Sequence, residues 1–199
     1  MPNDHPDAHL DARLRGNRSG GSSDRFEGTF WWLDQLGALA RRGQPITIRQ
    51  TLSGSNYGLI DDVTLEPRPD YWASVLWRRL MGERVLDVSR TAVDDYVRVY
   101  AHCSEGPPGT VGVLVINLLE DETVRIKLNG ITSERQEIYI LTSDALDSKD
   151  IMLNGTVLRD DNGTLPLLEP VIMDGGALDI PPLAMAFILF PFENAAACR

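Results

Sequence analysis

Apolar residues recur at Phe26, Phe30, Leu33, Leu36, Leu39 and Ala40, the spacing of one helix face. Asp24 offers an N-cap before them, and Gly43 and Pro45 close the helix. The next run, Ile46-Thr47-Ile48-Arg49-Gln50, is short and β-branched and reads as a strand. Residues 51–68 form a long loop with Gly54, Gly58, Pro67 and two aspartates. Pro69 and Asp70 open a second helix, with Asp70 as its N-cap. Tyr71, Val75, Leu76, Arg79 and Leu80 follow at helical spacing, and Gly82 sits where a C-terminal glycine cap belongs. Beyond Gly82 the period changes to two. Val97, Val99 and Ala101 alternate with Arg98, Tyr100 and His102. Residues 111–118 are almost continuously apolar, and 124–128 and 137–141 alternate again. Asn129-Gly130 and Asn154-Gly155 mark tight turns, and Pro181-Pro182 precede a last strand over 184–190.

Two architectures follow in succession. Helix, strand, loop and helix over residues 23–83 have the rhythm of a (β/α)8 barrel, but a barrel needs eight such units and about 250 residues. The chain has 199 and spends the rest on short strands. Those strands, over residues 84–199, predict an antiparallel β-sandwich of about 115 residues. The expected fold is therefore α/β plus all-β, a remnant of a TIM barrel followed by a C-terminal sandwich. Residues 1–22 are polar and aperiodic and read as a disordered tail.

Charge and cysteine usage narrow the function classes. A net charge of −10 argues against a nucleic-acid or anionic-membrane binder, since both need a basic face. No apolar run approaches the roughly 18 residues of a membrane span, and the run over 183–192 contains Pro191. The N-terminal stretch has no apolar core, so no secretory signal is expected within it. Cys103 and Cys198 form no CxxC pair and have no zinc-ligand spacing around them, and reduced thiols are the default reading. Asn17, Asn154 and Asn162 head Asn-x-Ser/Thr triplets, weak support for a secreted glycoprotein.

Generic catalytic motifs are absent: no GxGxxG, P-loop, G-x-S-x-G or HExxH. His5 and His9 lie in the tail, and His102 alone in a strand reads as structural. Asp61-Asp62, Asp94-Asp95 and Asp160-Asp161 read as solvated turn residues, because neighbours in a strand point to opposite faces. The better site is the strand–loop unit. Substrates of barrels meet the carboxyl ends of the strands and the loops after them. Gln50 ends the expected strand and Tyr57 lies in the following loop, an amide and a phenol suited to sugar hydroxyls or a sugar carboxylate. The alternative is that Gln50 fills a polar interior and Tyr57 packs the loop.

The segments FWWLDQLGALAR, IRQ, NYGLID, PDYWASVLWRRLMGERVL, RVYAHC, INL, MLNG, DDNGTLP and AAACR occur in this order. Together they resemble the C-terminal part of the heparanases, endo-β-glucuronidases of glycoside hydrolase family 79, over about residues 23–199. The resemblance implies a (β/α)8 barrel with an appended β-sandwich, in which residues 23–83 supply the last helix, strand and helix of the barrel. It implies that Gln50 and Tyr57 contact the bound uronic acid, the tyrosine hydroxyl helping to hold the carboxylate. Gly20-Gly21 would answer to a glycine-rich turn that binds the same carboxylate. It implies a heparan-sulfate-like glycan as partner, an extracellular or lysosomal location, and neither cofactor nor metal. A disulfide between Cys103 and Cys198 is implied as well, closing a loop of about 95 residues worth roughly 4–5 kcal/mol in the chain-entropy model.

The departures from the family are specific. A retaining glycosidase of this kind uses two glutamates. The stretch that would carry the nucleophile reads LDARLRGNRSGG, without a Glu, and the acid/base glutamate of the family lies further upstream. No catalytic residue is therefore assigned, and a C-terminal fragment inactive by itself is expected, with the N-terminal barrel part as its partner. The family's basic cluster at the start of the sandwich is replaced by SRTAVDDYVRV. A non-catalytic heparan-sulfate-binding module is the alternative, because FWWLD, YAHC and the ACR end also resemble the inactive paralogue. A third possibility is an unstable orphan exposing Phe30, Trp31 and Leu33.

Overall fold

A computed structural model describes residues 22–89 and 95–199. Asn17, Gly20-Gly21 and Asp94 lie outside them, as does nearly all of the expected tail. Helix α1 spans Phe26–Arg41 and α2 spans Pro69–Leu80. Ten strands follow among the described residues: β1 Val85–Leu86, β2 Val97–Cys103, β3 Val111–Asn117, β4 Val124–Ile126, β5 Arg135–Thr142, β6 Met152–Leu153, β7 Thr156–Val157, β8 Val171–Asp174, β9 Leu178–Ile180 and β10 Ala184–Phe190.

Eight strands make one antiparallel sheet in the order β1-β2-β3-β10-β5-β6-β7, with β8 also paired to β5. β4 and β9 pair separately as a two-stranded ribbon. The helices cover one face of the large sheet and the ribbon lies on the other. On the helix side Leu114, Ile116, Tyr139, Leu141, Met185 and Phe187 pack with Phe30, Leu33, Trp72 and Leu76. On the ribbon side Val113, Val115, Ile138, Ala186 and Ile188 meet Leu178 and Ile180. Being covered on both faces explains why β3 and β10 are buried at every position and read as continuous apolar runs. The expected antiparallel sheet is thus present, with a second layer of only two strands among the described residues.

The helix ends are built differently from the expectation. Neither Asp24 nor Asp70 caps a helix; the N-cap residues are Arg25 and Arg68, without side-chain capping bonds. The first amides of α1 are satisfied from a distant loop instead. Phe26 donates to the Ser148 carbonyl at 2.8 Å and Glu27 to that of Leu146 at 2.8 Å. Gly43 does stop α1, at φ 79°. Gly82 is not a left-handed cap. A Cβ there would lie 2.3 Å from the Cys103 carbonyl oxygen, so glycine is needed for close approach to β2.

The strand expected over 46–50 does not form. A strand needs a ladder, and no described residue pairs with this segment. Its alternation survives: Ile46, Ile48 and Gln50 are exposed while Thr47 and Arg49 are half-buried. Phe30 and Leu33 are buried in the shared core of helices and sheet, against the orphan reading; of the three named, only Trp31 is exposed. Cys103 and Cys198 form a disulfide, joining the end of β2 to a short 3-10 turn over Ala196–Cys198.

Candidate functional site

The connection between α1 and α2 carries both sugar-binding candidates, and two arginines hold it in shape. Arg49 enters from the 46–50 segment and ion-pairs with the buried Asp70 of α2. Its guanidinium also donates to the Ser23 carbonyl at 3.3 Å. It lies 5.1 Å from the centre of a Trp32 ring and 6.0 Å from one of Trp31, within cation–π range. Thr29 of α1 donates its hydroxyl to Asp70 at 3.0 Å. Trp32 donates its indole N–H to the Ser74 hydroxyl at 2.8 Å, and Ser74 donates to the Asp70 carbonyl at 2.6 Å. Burial pushes the Asp70 carboxyl up to about 6, although Arg49 and Thr29 work in the other direction.

Arg68 does the same for the loop. It donates to the carbonyls of Ser55 and Gly58 at 3.0 Å each, on both sides of Tyr57. Its other terminal nitrogen meets Asp61 at 3.1 Å. Asp61 accepts from the amides of Thr64 and Val63, and these bonds with Arg68 hold its carboxyl well below the usual carboxylate range. Ile60 bridges to Pro67, closing the loop on itself. Asp61 is therefore an anchor, not the free turn residue expected of it.

Gln50 is exposed and Tyr57 half-buried, and neither side chain hydrogen-bonds to another described residue. Both stand on the connection between α1 and α2, Gln50 at the end of a segment without strand pairing and Tyr57 in the loop after it. Sequence reasoning missed the frame: Arg49, Arg68, Asp61, Asp70 and Thr29. The one available signal was an arginine inside a β-branched run, with an aspartate directly after the proline that opens the next helix.

Among the described residues no acid/base couple emerges. Asp70 has the raised pKa suited to a general acid, but it faces Arg49 and Thr29 from a buried position. His102 is structural: its Nδ1 pairs with the Gly82 carbonyl at 2.6 Å and its ring stands edge-on to Trp77 at 5.2 Å. Burial holds its pKa below the ordinary histidine value. Among the described residues no three His, Cys, Asp or Glu side chains gather as metal ligands, and no helix is long and apolar enough to cross a membrane. A cavity of about 140 Å³ opens between the two sheets, lined by Ile126, Leu128, Gln136 and Phe190, away from Gln50. One of about 80 Å³ lies between Arg68, Asp61 and Arg159. Neither touches Gln50 or Tyr57.

No protein-family model matches the chain. Individual proteins do. Heparanase-like protein 1 of Arabidopsis thaliana is 40% identical over 88% of the chain and 39% of its own length. Baicalin-β-D-glucuronidase of Scutellaria baicalensis is 36% identical over 86% of the chain and 33% of its own length. Heparanase of Bos taurus and inactive heparanase-2 of Homo sapiens are each 35% identical, over 88% and 89% of the chain and 34% and 33% of their own lengths. In fold, the chain is similar to a GH51 α-L-arabinofuranosidase of Thermotoga petrophila, with a TM-score of 0.58 at 14% identity over 83% of this chain and 38% of that one. It is also similar to CelM2, a bifunctional glucanase-xylanase from a metagenome library, with a TM-score of 0.55 at 17% identity over 92% of this chain and 34% of that one. The chain spans 33–39% of the length of the four sequence relatives named. Over 86–89% of its own length the chain is thus homologous to heparanases, heparanase-like proteins and a glucuronidase.

Proposed function

We propose that this chain is the uronic-acid-holding and sheet-bearing C-terminal part of a heparanase-like β-glucuronidase that acts by a retaining mechanism on heparan sulfate or a related glycan. The observation that carries this is similarity to heparanases across most of the chain, joined by a relative whose name is that of a glucuronidase. In this reading the Gln50 amide pairs with sugar hydroxyls and the Tyr57 phenol donates to the carboxylate. Arg49 and Arg68 hold the two segments that present them. The two glutamates of the retaining reaction have no counterpart among these residues, so the chain by itself does not turn over. Its partner is the remainder of the barrel. The exposed Ile46, Ile48, Leu52, Val63 and Leu65 lie on the connection such a body would cover. The Cys103–Cys198 disulfide favours formation in the oxidising secretory pathway, on the route to an extracellular or lysosomal location.

The test is binding of phenyl β-D-glucuronide to the 199-residue chain, read by saturation-transfer NMR, with heparan sulfate hydrolysis assayed in parallel. Binding without hydrolysis is expected, weakened in Gln50→Ala and in Tyr57→Phe. Unchanged binding in both variants removes these residues from the site, and hydrolysis at the rate of a full glycosidase overturns the assignment of the glutamates elsewhere. The similarity to inactive heparanase-2 favours a second reading, a glycan-binding module without chemistry. Heparin chromatography separates the two. A net charge of −10 predicts early elution, whereas retention above about 0.3 M salt supports the binder.

A further inference from the structure

The 46–50 segment is held in an unusual way. Among the described residues no backbone–backbone hydrogen bond ties residues 45–50 to another element. Gln44 reaches the Ile46 carbonyl with its side chain, which is a bond within the segment's own start. Among the described residues the polar tie to the body of the protein is the Arg49 side chain, which meets α2 at Asp70, the residues before α1 at Ser23, and α1 through Trp31 and Trp32. Gln50 is its immediate neighbour, so the position of Gln50 depends on where Arg49 is held.

We propose that Arg49 and Asp70 form a pH-responsive clasp and act as positioning residues for Gln50, a role that rests on the sugar-binding reading of Gln50 given above. With Asp70 ionised, the guanidinium is drawn between α2 and the tryptophans. A proton on Asp70 cancels the charge that holds it there. Arg49 then gains more from water than from a neutral carboxyl, and the segment follows it outward. The groups facing Asp70 are Arg49 from the segment, Thr29 from α1, Asp24 just before α1 and Arg68 at the start of α2. Asp24 favours the proton and the two arginines oppose it. Desolvation dominates this balance and brings the carboxyl to about 6.

The experiment is a pH titration of the 15N-labelled 199-residue chain between pH 4 and 8. It follows the backbone amide of Gln50 and the indole N–H signals of Trp31 and Trp32. The three are expected to move together with one midpoint in the wild-type chain and to lose that transition in Asp70→Asn. Thr29→Val removes a donor to the ionised form and raises the midpoint, and this variant decides the matter if Asp70→Asn does not fold. The clasp is overturned if the Gln50 amide does not titrate, if it titrates alike in Asp70→Asn, or if Thr29→Val leaves the midpoint where it was. A separate arm guards the reading beneath. If Gln50→Ala binds phenyl β-D-glucuronide as the wild type does while the titration behaves as described, the clasp stands and the sugar role of Gln50 falls.

Discussion

Asn154 and Asn162 show how identical local chemistry takes different meanings. Each begins an Asn-Gly-Thr triplet, and each has φ 49° before a glycine at φ 82°. Asn154 forms the hairpin turn between β6 and β7, and its amide is committed. It donates to the carbonyls of Ile138 and Glu169 at 3.1 and 3.2 Å and accepts from the Ile140 amide at 2.8 Å. A glycan replaces one of those two donor hydrogens. Asn162 is exposed, and among the described residues its amide reaches its neighbour Asp161. Expression through a eukaryotic secretory pathway, followed by mass spectrometry, should find glycan on Asn162 and none on Asn154. Asn154→Asp sets a carboxylate against two carbonyls and should cost about 1–3 kcal/mol in urea unfolding. His102 makes the residue-scale pH prediction. Its folded pKa lies below the unfolded value of about 6.5, so the unfolded chain binds the extra proton first. Stability should therefore be lost as pH falls below about 6.5, and less steeply in His102→Gln, compared by urea unfolding at pH 5 and 7.5.

At the scale of elements, glycine sets how closely the helices lie on the sheet. A Cβ on Gly37 of α1 would meet the ring of Tyr100 on β2 at 2.4 Å, and one on Gly112 of β3 would meet the Leu80 carbonyl at 2.5 Å. Tyr100 in turn donates its hydroxyl to Asp34 of α1 at 2.6 Å, so the contact is fixed both by shape and by a hydrogen bond. Gly37→Ala should lower stability by about 1–3 kcal/mol through overpacking, seen as a lower urea midpoint with unchanged slope. An unchanged midpoint would show that α1 does not need this close approach to β2. The 46–50 segment illustrates the opposite case. Its residues favour a strand, but without a ladder partner they keep only the alternation of faces.

At the scale of the whole molecule, the large sheet is the common wall of two cores, and the disulfide ties its far end. The bridge spans 95 residues from β2 to the chain's last turn. In the chain-entropy model such a loop is worth about 4–5 kcal/mol, so Cys103→Ser with Cys198→Ser should lose roughly that amount in guanidinium unfolding. A loss under about 1 kcal/mol would mean that the unfolded chain is little constrained by the bridge.

What the amino-acid order determined by itself were the features that local physics controls. The helical face of α1, its glycine stop, the tight Asn-Gly turns and the apolar run of β10 need only neighbours in sequence, and each stands where the pattern put it. The tertiary structure decided what depends on distant partners. The amides at the start of α1 are satisfied by carbonyls more than a hundred residues away, so Asp24 was not needed as a cap. Gly82 serves closeness to β2 and not a left-handed turn. Arg49 and Arg68 look in sequence like ordinary surface charges. Only folding brings Asp70 against the first and turns the second on the loop around Tyr57, because an ion pair or a buried donor has no meaning until its partner arrives.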